Sequence, residues 1–210
     1  MMVGIVVSII GVIVLAIILL QWWLNWRRRT ISEAGAQFGL RPLGDGESLP
    51  LVPVPLFDRP KCKYLVILRG HIKGYECAFF DLYTTFGAEW DFQSTVMLQN
   101  PNVIMPKFQL QTLQWTQPRK QTYGDAIDIP GRESVMASLR LSAEDPEWAQ
   151  RIFSQAAPEF FQNLRRGKWT IEGFQNTLVI YRWGKRIPAR RLRDYVNESS
   201  DLAIHFFSLI

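Results

Sequence analysis

Few side chains in this sequence could bind a metal ion or act as nucleophiles, and they are widely spaced. The soft metal ligands are Cys62, Cys77, His71 and His205. No pair has the close spacing of a zinc site, such as two cysteines separated by two residues or two histidines separated by three. The sequence therefore predicts no metal site and no cofactor.

A cysteine–histidine nucleophile pair would require Cys77 beside His71. Both residues lie on a predicted β-hairpin that turns near Gly74, where Cys77 faces Gly70 and points away from His71. We therefore interpret Cys77 as a small core residue. Cys62 lies beyond the far end of the hairpin, so the two thiols are predicted to stay unbonded, which is typical of a reducing cytosol.

Asp81 is the one carboxylate whose neighbours suggest chemistry, because it shares a strand face with Phe79 and Tyr83. It could act as a general acid or base, or it could accept hydrogen bonds from backbone amides, a tyrosine or an arginine. We favour the structural acceptor, since structural ion pairs also perturb pKa values. No nucleophile-elbow, Walker or dinucleotide-binding motif occurs, and we assign no catalytic residue.

A basic segment over residues 165–193 is the strongest charge anomaly of the chain. Only Glu172 opposes its nine basic residues, which are Arg165, Arg166, Lys168, Arg182, Lys185, Arg186, Arg190, Arg191 and Arg193. Such a segment can lie against anionic lipid, and we predict lipid contacts at Arg186, Arg190 and Arg191. It could equally be a solvated face covered by acids from elsewhere, namely Asp194, Glu198 and Asp201. Nucleic-acid binding, with Trp169 and Trp183 as stacking surfaces, is disfavoured.

Residues 3–24 carry no charge, and as a helix this run would be about 33 Å long, enough to cross a bilayer core of about 30 Å. It is longer than the apolar part of a signal peptide, has no basic start, and lacks a small-residue cleavage site. We therefore predict a retained membrane span over residues 1–29. The residues predicted to lie at the membrane interface are Trp22, Trp23, Trp26, Arg27, Arg28 and Arg29.

All basic residues that flank the run come after it. Because basic flanks stay on the cytoplasmic side, the sequence predicts a single-pass protein of the cell membrane with its N-terminus outside and residues 30–210 in the cytoplasm.

Residues 30–60 are predicted to form a short helix over residues 31–40, capped by Thr30 or Ser32, and a proline-rich connector. The five prolines of residues 41–60 exclude a helix there. Because the residues between the prolines of residues 49–57 are leucine and valine rather than basic, we expect the connector to lie extended against the domain. A proline-rich ligand for a recognition module is the alternative.

Residues 61–210 are predicted to form one α+β domain, an antiparallel meander packed by C-terminal helices. Four stretches alternate with period two and are joined by short turns, the first at Lys73 and Gly74. Two helices follow, one capped by Asp145 and one closed by Gly167. A hairpin over residues 169–183 and a last helix from Pro188 complete the domain.

The order of these elements resembles a group of bacterial membrane-anchored proteins of unknown function. The resemblance is carried by a membrane helix, Phe-Asp-Leu-Tyr at residues 80–83, Ile-Glu-Gly at residues 171–173 and Val-Ile-Tyr-Arg at residues 179–182. These motifs are strands and turns, so the resemblance implies a fold and no activity.

We therefore expect a membrane-anchored, non-enzymatic binding or accessory module at the cytoplasmic face of the membrane. Its expected partners are membrane lipid and other membrane proteins in a larger complex, rather than nucleic acid. The alternative is a membrane-tethered enzyme with a site near Asp81 and His71.

Overall fold

The computed structural model describes residues 2–44, 49, 52–54, 56–57, 63–86, 89–113 and 123–210. It confirms the predicted α+β class, with an apolar N-terminal helix, an eight-stranded antiparallel sheet and C-terminal helices. The helices are α1 (Met2–Ala36), α2 (Glu133–Met136), α3 (Pro146–Gln155), α4 (Pro158–Gly167) and α5 (Leu192–Phe207). The strands are β1 (Arg41–Pro42), β2 (Lys63–Ile72), β3 (Tyr75–Phe86), β4 (Glu89–Gln99), β5 (Met105–Thr112), β6 (Leu139–Ala143), β7 (Trp169–Gln175) and β8 (Thr177–Arg182).

Helix α1 runs without a break through the apolar segment and into the domain. The prediction of a separate helix over residues 31–40 is wrong, because the Thr30 hydroxyl bonds back to the carbonyls of Trp26 and Arg27 inside the helix instead of capping a new one. Within α1, Ile10–Ala36 has a mean hydropathy of 1.6 and is long and apolar enough to cross a membrane. Membrane spans and signal sequences share this length and composition.

The strand order is β1-β2-β3-β4-β8-β7-β5-β6. The meander is therefore correct for β2, β3 and β4, but β5 does not pair with β4 as the sequence suggested. The β7–β8 hairpin lies between them, and Val96 of β4 pairs with Ile180 of β8. Alternation identifies a strand but does not determine its neighbour, which depends on packing across the sheet.

The β2–β3 hairpin has the predicted register. Cys77 faces Gly70, and the turn residues Lys73 and Gly74 both have positive φ, at 52° and 87°. Cys77 is a fully buried free thiol, and burial raises its pKa to about 12. It is thus a core residue, as predicted, and Cys62 lies outside the described residues.

Both faces of the sheet are buried. On one face, α3, α4, α5 and the end of α1 pack over a core that includes Phe79, Phe108 and Phe206. On the other face lie the described residues of the connector, where Val54 and Leu56 are fully buried against Phe80 of β3. The expectation that the connector packs against the domain is therefore confirmed for residues 52–54 and 56–57.

The C-terminal elements follow the sequence with two differences. Asp145 caps α3 as predicted, by accepting a hydrogen bond from the amide of Trp148. At the end of α4 the left-handed residue is Lys168 and not Gly167. Gly167 is needed for another reason, because a Cβ there would collide with the ring of Trp169. Strand β6 was not predicted, although its five residues alternate between apolar and polar side chains.

A close approach joins the end of α1 to the sheet, and it generates a prediction. A Cβ on Gly70 would collide with the backbone carbonyl of Gly39, an atom that cannot rotate away. We expect Gly70→Ala to lower the free energy of unfolding of the detergent-solubilised chain by about 1–3 kcal/mol. Gly11→Ala is the control, because a Cβ there meets nothing. Equal stability of the two variants, measured by denaturant titration, would contradict this packing.

Candidate functional site

One face of α1 continues from the apolar segment into the domain. Trp23, Arg27, Ile31 and Gly35 are spaced by four residues and therefore share that face. Ile31 is fully buried, Gly35 packs closely on Leu68 of β2, and only 6% of Arg27 is exposed. The helix is thus held by the domain along its last three turns.

The centre of this junction is a buried ion pair between Arg27 and Asp81, of which only 1% is exposed. The Nε of Arg27 donates to Oδ2 of Asp81 at 2.9 Å, and its Nη2 lies 2.8 Å from the same oxygen. Nη2 also donates to the carbonyl of Ile187 at 2.6 Å. Arg27 therefore connects the helix to β3 and to the segment that follows β8.

Ser94 of β4 completes the set of contacts around Asp81. Its hydroxyl donates to Oδ1 of Asp81 at 2.6 Å and accepts from the amide of Ile187 at 2.9 Å. The Ser94 carbonyl accepts from the hydroxyl of Tyr195 on α5 at 2.7 Å, and burial raises the pKa of that tyrosine. Four separate parts of the chain are thereby joined at one carboxylate.

A second arginine, Arg186, lies against the same carboxylate. Its Nε is 3.4 Å from Oδ2 of Asp81, and its guanidinium lies 4.4 Å from the ring centre of Trp23 and 5.0 Å from that of Phe92. Burial lowers the pKa of Arg186, although the negative charge of Asp81 opposes that effect. Trp23 and Phe92 also meet edge to face, with ring centres 6.5 Å apart.

This arrangement suits Asp81 to a structural role rather than to acid–base chemistry, because both of its oxygens accept hydrogen bonds from protein donors. The structure does not bring His71 to Asp81. Asp81 pairs with Val66 and His71 pairs with Glu76, so the two lie about 16 Å apart along the strands and on opposite faces. The proposed site near Asp81 and His71 therefore has no geometric basis.

The residues predicted for the membrane interface divide into two groups. Trp22 and Trp26 are 65% and 51% exposed, and Arg28 and Arg29 are also exposed. Trp23 and Arg27, by contrast, lie against the domain and have protein partners. Sequence reasoning missed the structural role of Arg27, because that role depends on Asp81, which lies 54 positions away along the chain.

The basic segment is divided in a similar way. Arg190 and Arg191 are exposed on a short 3₁₀ helix, Ala189–Arg191, that packs beside α1, whereas Arg186 is packed on rings and paired with Asp81. Arg182 forms an ion pair with Glu198, one of the acids expected to cover the segment. Trp169 is only 2% exposed and lies beneath Arg182, so it offers no surface on which a base could stack.

Among the residues that the structure describes, no group of three or more His, Cys, Asp or Glu side chains could hold a metal ion.

No protein-family model and no curated protein matches this chain. The fold is similar to the crystal structure of the mycobacterial trehalose monomycolate transport factor A, TtfA, with a TM-score of 0.53 and 13% sequence identity. The match covers 89% of this chain and 93% of that one. At this identity the likeness shows a shared fold.

The buried ion pair leads to a prediction about stability. Asp81→Ala leaves two arginines without their counter-charge, so we expect the free energy of unfolding to fall by about 3–5 kcal/mol. Asp201→Ala is the control, because its ion pair with Lys73 is exposed and should change stability by less than about 1 kcal/mol. Denaturant titration of the detergent-solubilised chains measures both, and similar losses in the two variants would contradict a central role for Asp81.

Proposed function

We propose that this chain is a membrane-anchored, non-enzymatic accessory module whose domain lies at the cytoplasmic face of the membrane, as a subunit of a larger membrane assembly. The observation that carries the proposal is the unbroken path of α1 from the apolar segment into the domain core. Because the helix is packed at Arg27, Ile31 and Gly35, the domain is positioned rigidly relative to the anchor and is not tethered by a flexible linker.

The distribution of exposed charge supports the orientation. Arg28 and Arg29 are exposed just after the apolar segment, and basic residues at that position favour the cytoplasmic side. Arg190 and Arg191 are exposed on the neighbouring 3₁₀ helix, where each would gain roughly 1 kcal/mol near an anionic leaflet. These four arginines together form a basic surface near the point where α1 leaves the domain.

The fold comparison is compatible with an accessory role. The neighbour is named a transport factor, and it shares this fold over most of both chains. In the present chain both Asp81 oxygens accept protein hydrogen bonds, which favours a positioning function over chemistry at the buried carboxylate.

The proposed function predicts that the chain is anchored in the membrane by α1. The full chain should remain in the membrane after alkaline carbonate extraction, with an intact mass that includes residues 1–29, and a reporter fused after Ile210 should report a cytoplasmic location. Arg28→Glu/Arg29→Glu should reduce that orientation bias, because the basic flank sets it. A mature chain that begins after the apolar segment, or a reporter signal from outside the cell, would contradict the anchored module.

The proposed function also predicts that the exposed side of α1 contacts another membrane protein. Trp22 and Trp26 lie on the side of α1 that the domain leaves exposed, whereas Trp23 is packed against Arg186. A photo-crosslinking residue at position 22 or 26 should give discrete adducts with a membrane protein in intact cells. The same residue at position 23 is the control and should give none of these adducts. Adducts with lipid alone at positions 22 and 26 would contradict a subunit role.

A further inference from the structure

A cleft of about 680 Å³ lies between α4, α5 and the segment that follows β8. Its volume is within the usual range for sites that bind small molecules. Each helix presents one face to it, since the lining positions recur every three or four residues. These are Phe160, Asn163 and Arg166 on α4, and Glu198, Asp201, Leu202 and His205 on α5.

The lining of the cleft has an excess of positive charge. Five basic residues oppose two acids, and they are Arg166, Lys168, Arg182, Lys185 and Arg186. Both acids are already paired, Glu198 with Arg182 and Asp201 with Lys73.

Three cations of the lining are therefore available to a ligand. Arg166, Lys168 and Lys185 are exposed, and the described part of the chain contains no acidic partner for them. Guanidinium and ammonium groups that converge on a cleft are suited to phosphate or carboxylate.

Apolar side chains also line the cleft. Phe160, Trp169, Ile187 and Leu202 belong to the main core and contribute to the cleft wall. Trp183 also lines the cleft and is only half-buried, so a ligand that touched the cations alone would leave its apolar ring partly in water. The lining therefore favours a ligand with an anionic group and an adjacent apolar part.

The cleft adjoins the place where α1 enters the domain. Arg186 and Ile187 line the cleft, and the same two residues contact Trp23 and Arg27 of the helix. Trp23 is also close to the end of the uncharged segment of the helix. A single layer of side chains therefore separates the cleft from the end of the uncharged segment of α1.

We propose that this cleft binds the phosphate head group of an anionic amphiphile, with the phosphate held by Arg166, Lys168 and Lys185 and the apolar part against Trp183 and Leu202. The chemistry of the ligand is read from the lining alone. Its source, the lipid of the membrane in which α1 is anchored, rests on the proposed function. A soluble phosphate compound would offer the same anion without the apolar part, and the experiment separates the two.

The experiment titrates the full chain, solubilised in a neutral detergent, with short-chain phosphatidylglycerol in a calorimeter. Parallel titrations use short-chain phosphatidylcholine, which is neutral overall, and glycerol 3-phosphate, which is a soluble phosphate without acyl chains. We expect saturable binding of phosphatidylglycerol and binding of the other two that is weaker by about tenfold or more. Equal binding of glycerol 3-phosphate would overturn the lipid source, and equal binding of phosphatidylcholine would overturn recognition of net anionic charge.

The variant Arg166→Gln/Lys185→Gln removes two cleft cations that are exposed and have no acidic partner, so it should fold normally. It should weaken phosphatidylglycerol binding by about tenfold or more. The charge-matched control is Arg165→Gln/Arg193→Gln, because both arginines are exposed and lie outside the cleft lining. The control should change affinity by less than about twofold, and an equal loss in both variants would show general charge attraction and overturn the cleft.

Carbonate extraction of the same variants distinguishes failure of this site from failure of the module. A chain that stays in the membrane and shows no saturable binding overturns the cleft and leaves the anchored module standing. A chain that leaves the membrane but still binds glycerol 3-phosphate overturns the anchor and the lipid source together.

Discussion

The burial of Asp81 between Arg27 and Arg186 is the constraint on which the rest of the structure depends. A carboxylate taken out of water is costly unless charged donors surround it, and here the donors come from α1 and from the segment after β8. Because Arg27 can reach Asp81 from only one rotation of the helix, the ion pair fixes how α1 is oriented on the sheet. We interpret the ion pair as setting the orientation of α1 more than as stabilising the fold. Replacing both partners of a buried ion pair by apolar residues often leaves stability unchanged.

A second buried carboxylate secures the opposite face of the sheet. Glu172 of β7 accepts hydrogen bonds from the hydroxyl of Tyr181 at 2.5 Å, from the amide of Gln109 at 2.7 Å and from the backbone amide of Leu56 at 2.9 Å. The last bond holds the connector at Leu56. Because proline has no backbone N–H, the prolines of the connector cannot donate such a bond themselves. One acid thus anchors the helix side and the other anchors the connector side, and the sheet is covered on both faces.

The helix junction and the cleft share two residues, because Arg186 and Ile187 contact α1 and also line the cleft. A ligand in the cleft would contact the same segment that holds Arg27, and so any movement of residues 185–187 would also displace α1. In this segment the guanidinium of Arg186 packs on the rings of Trp23 and Phe92. If α1 is the proposed anchor, this junction would hold the cleft at a fixed height above the membrane.

The sequence by itself determined the features that depend on neighbouring residues. The alternation of residues 63–84 and the Lys73-Gly74 turn predicted the hairpin register that buries Cys77. The length of the uncharged run predicted the apolar helix. Both patterns are local, so they can be read from the sequence. Only the tertiary structure placed β7 and β8 between β4 and β5, and only it paired Arg27 with Asp81, 54 positions away along the chain. An arginine after an apolar run has the same sequence signature whether it faces headgroups or enters a core. Which of these occurs depends on a carboxylate that folding brings to it, and no local pattern records that contact.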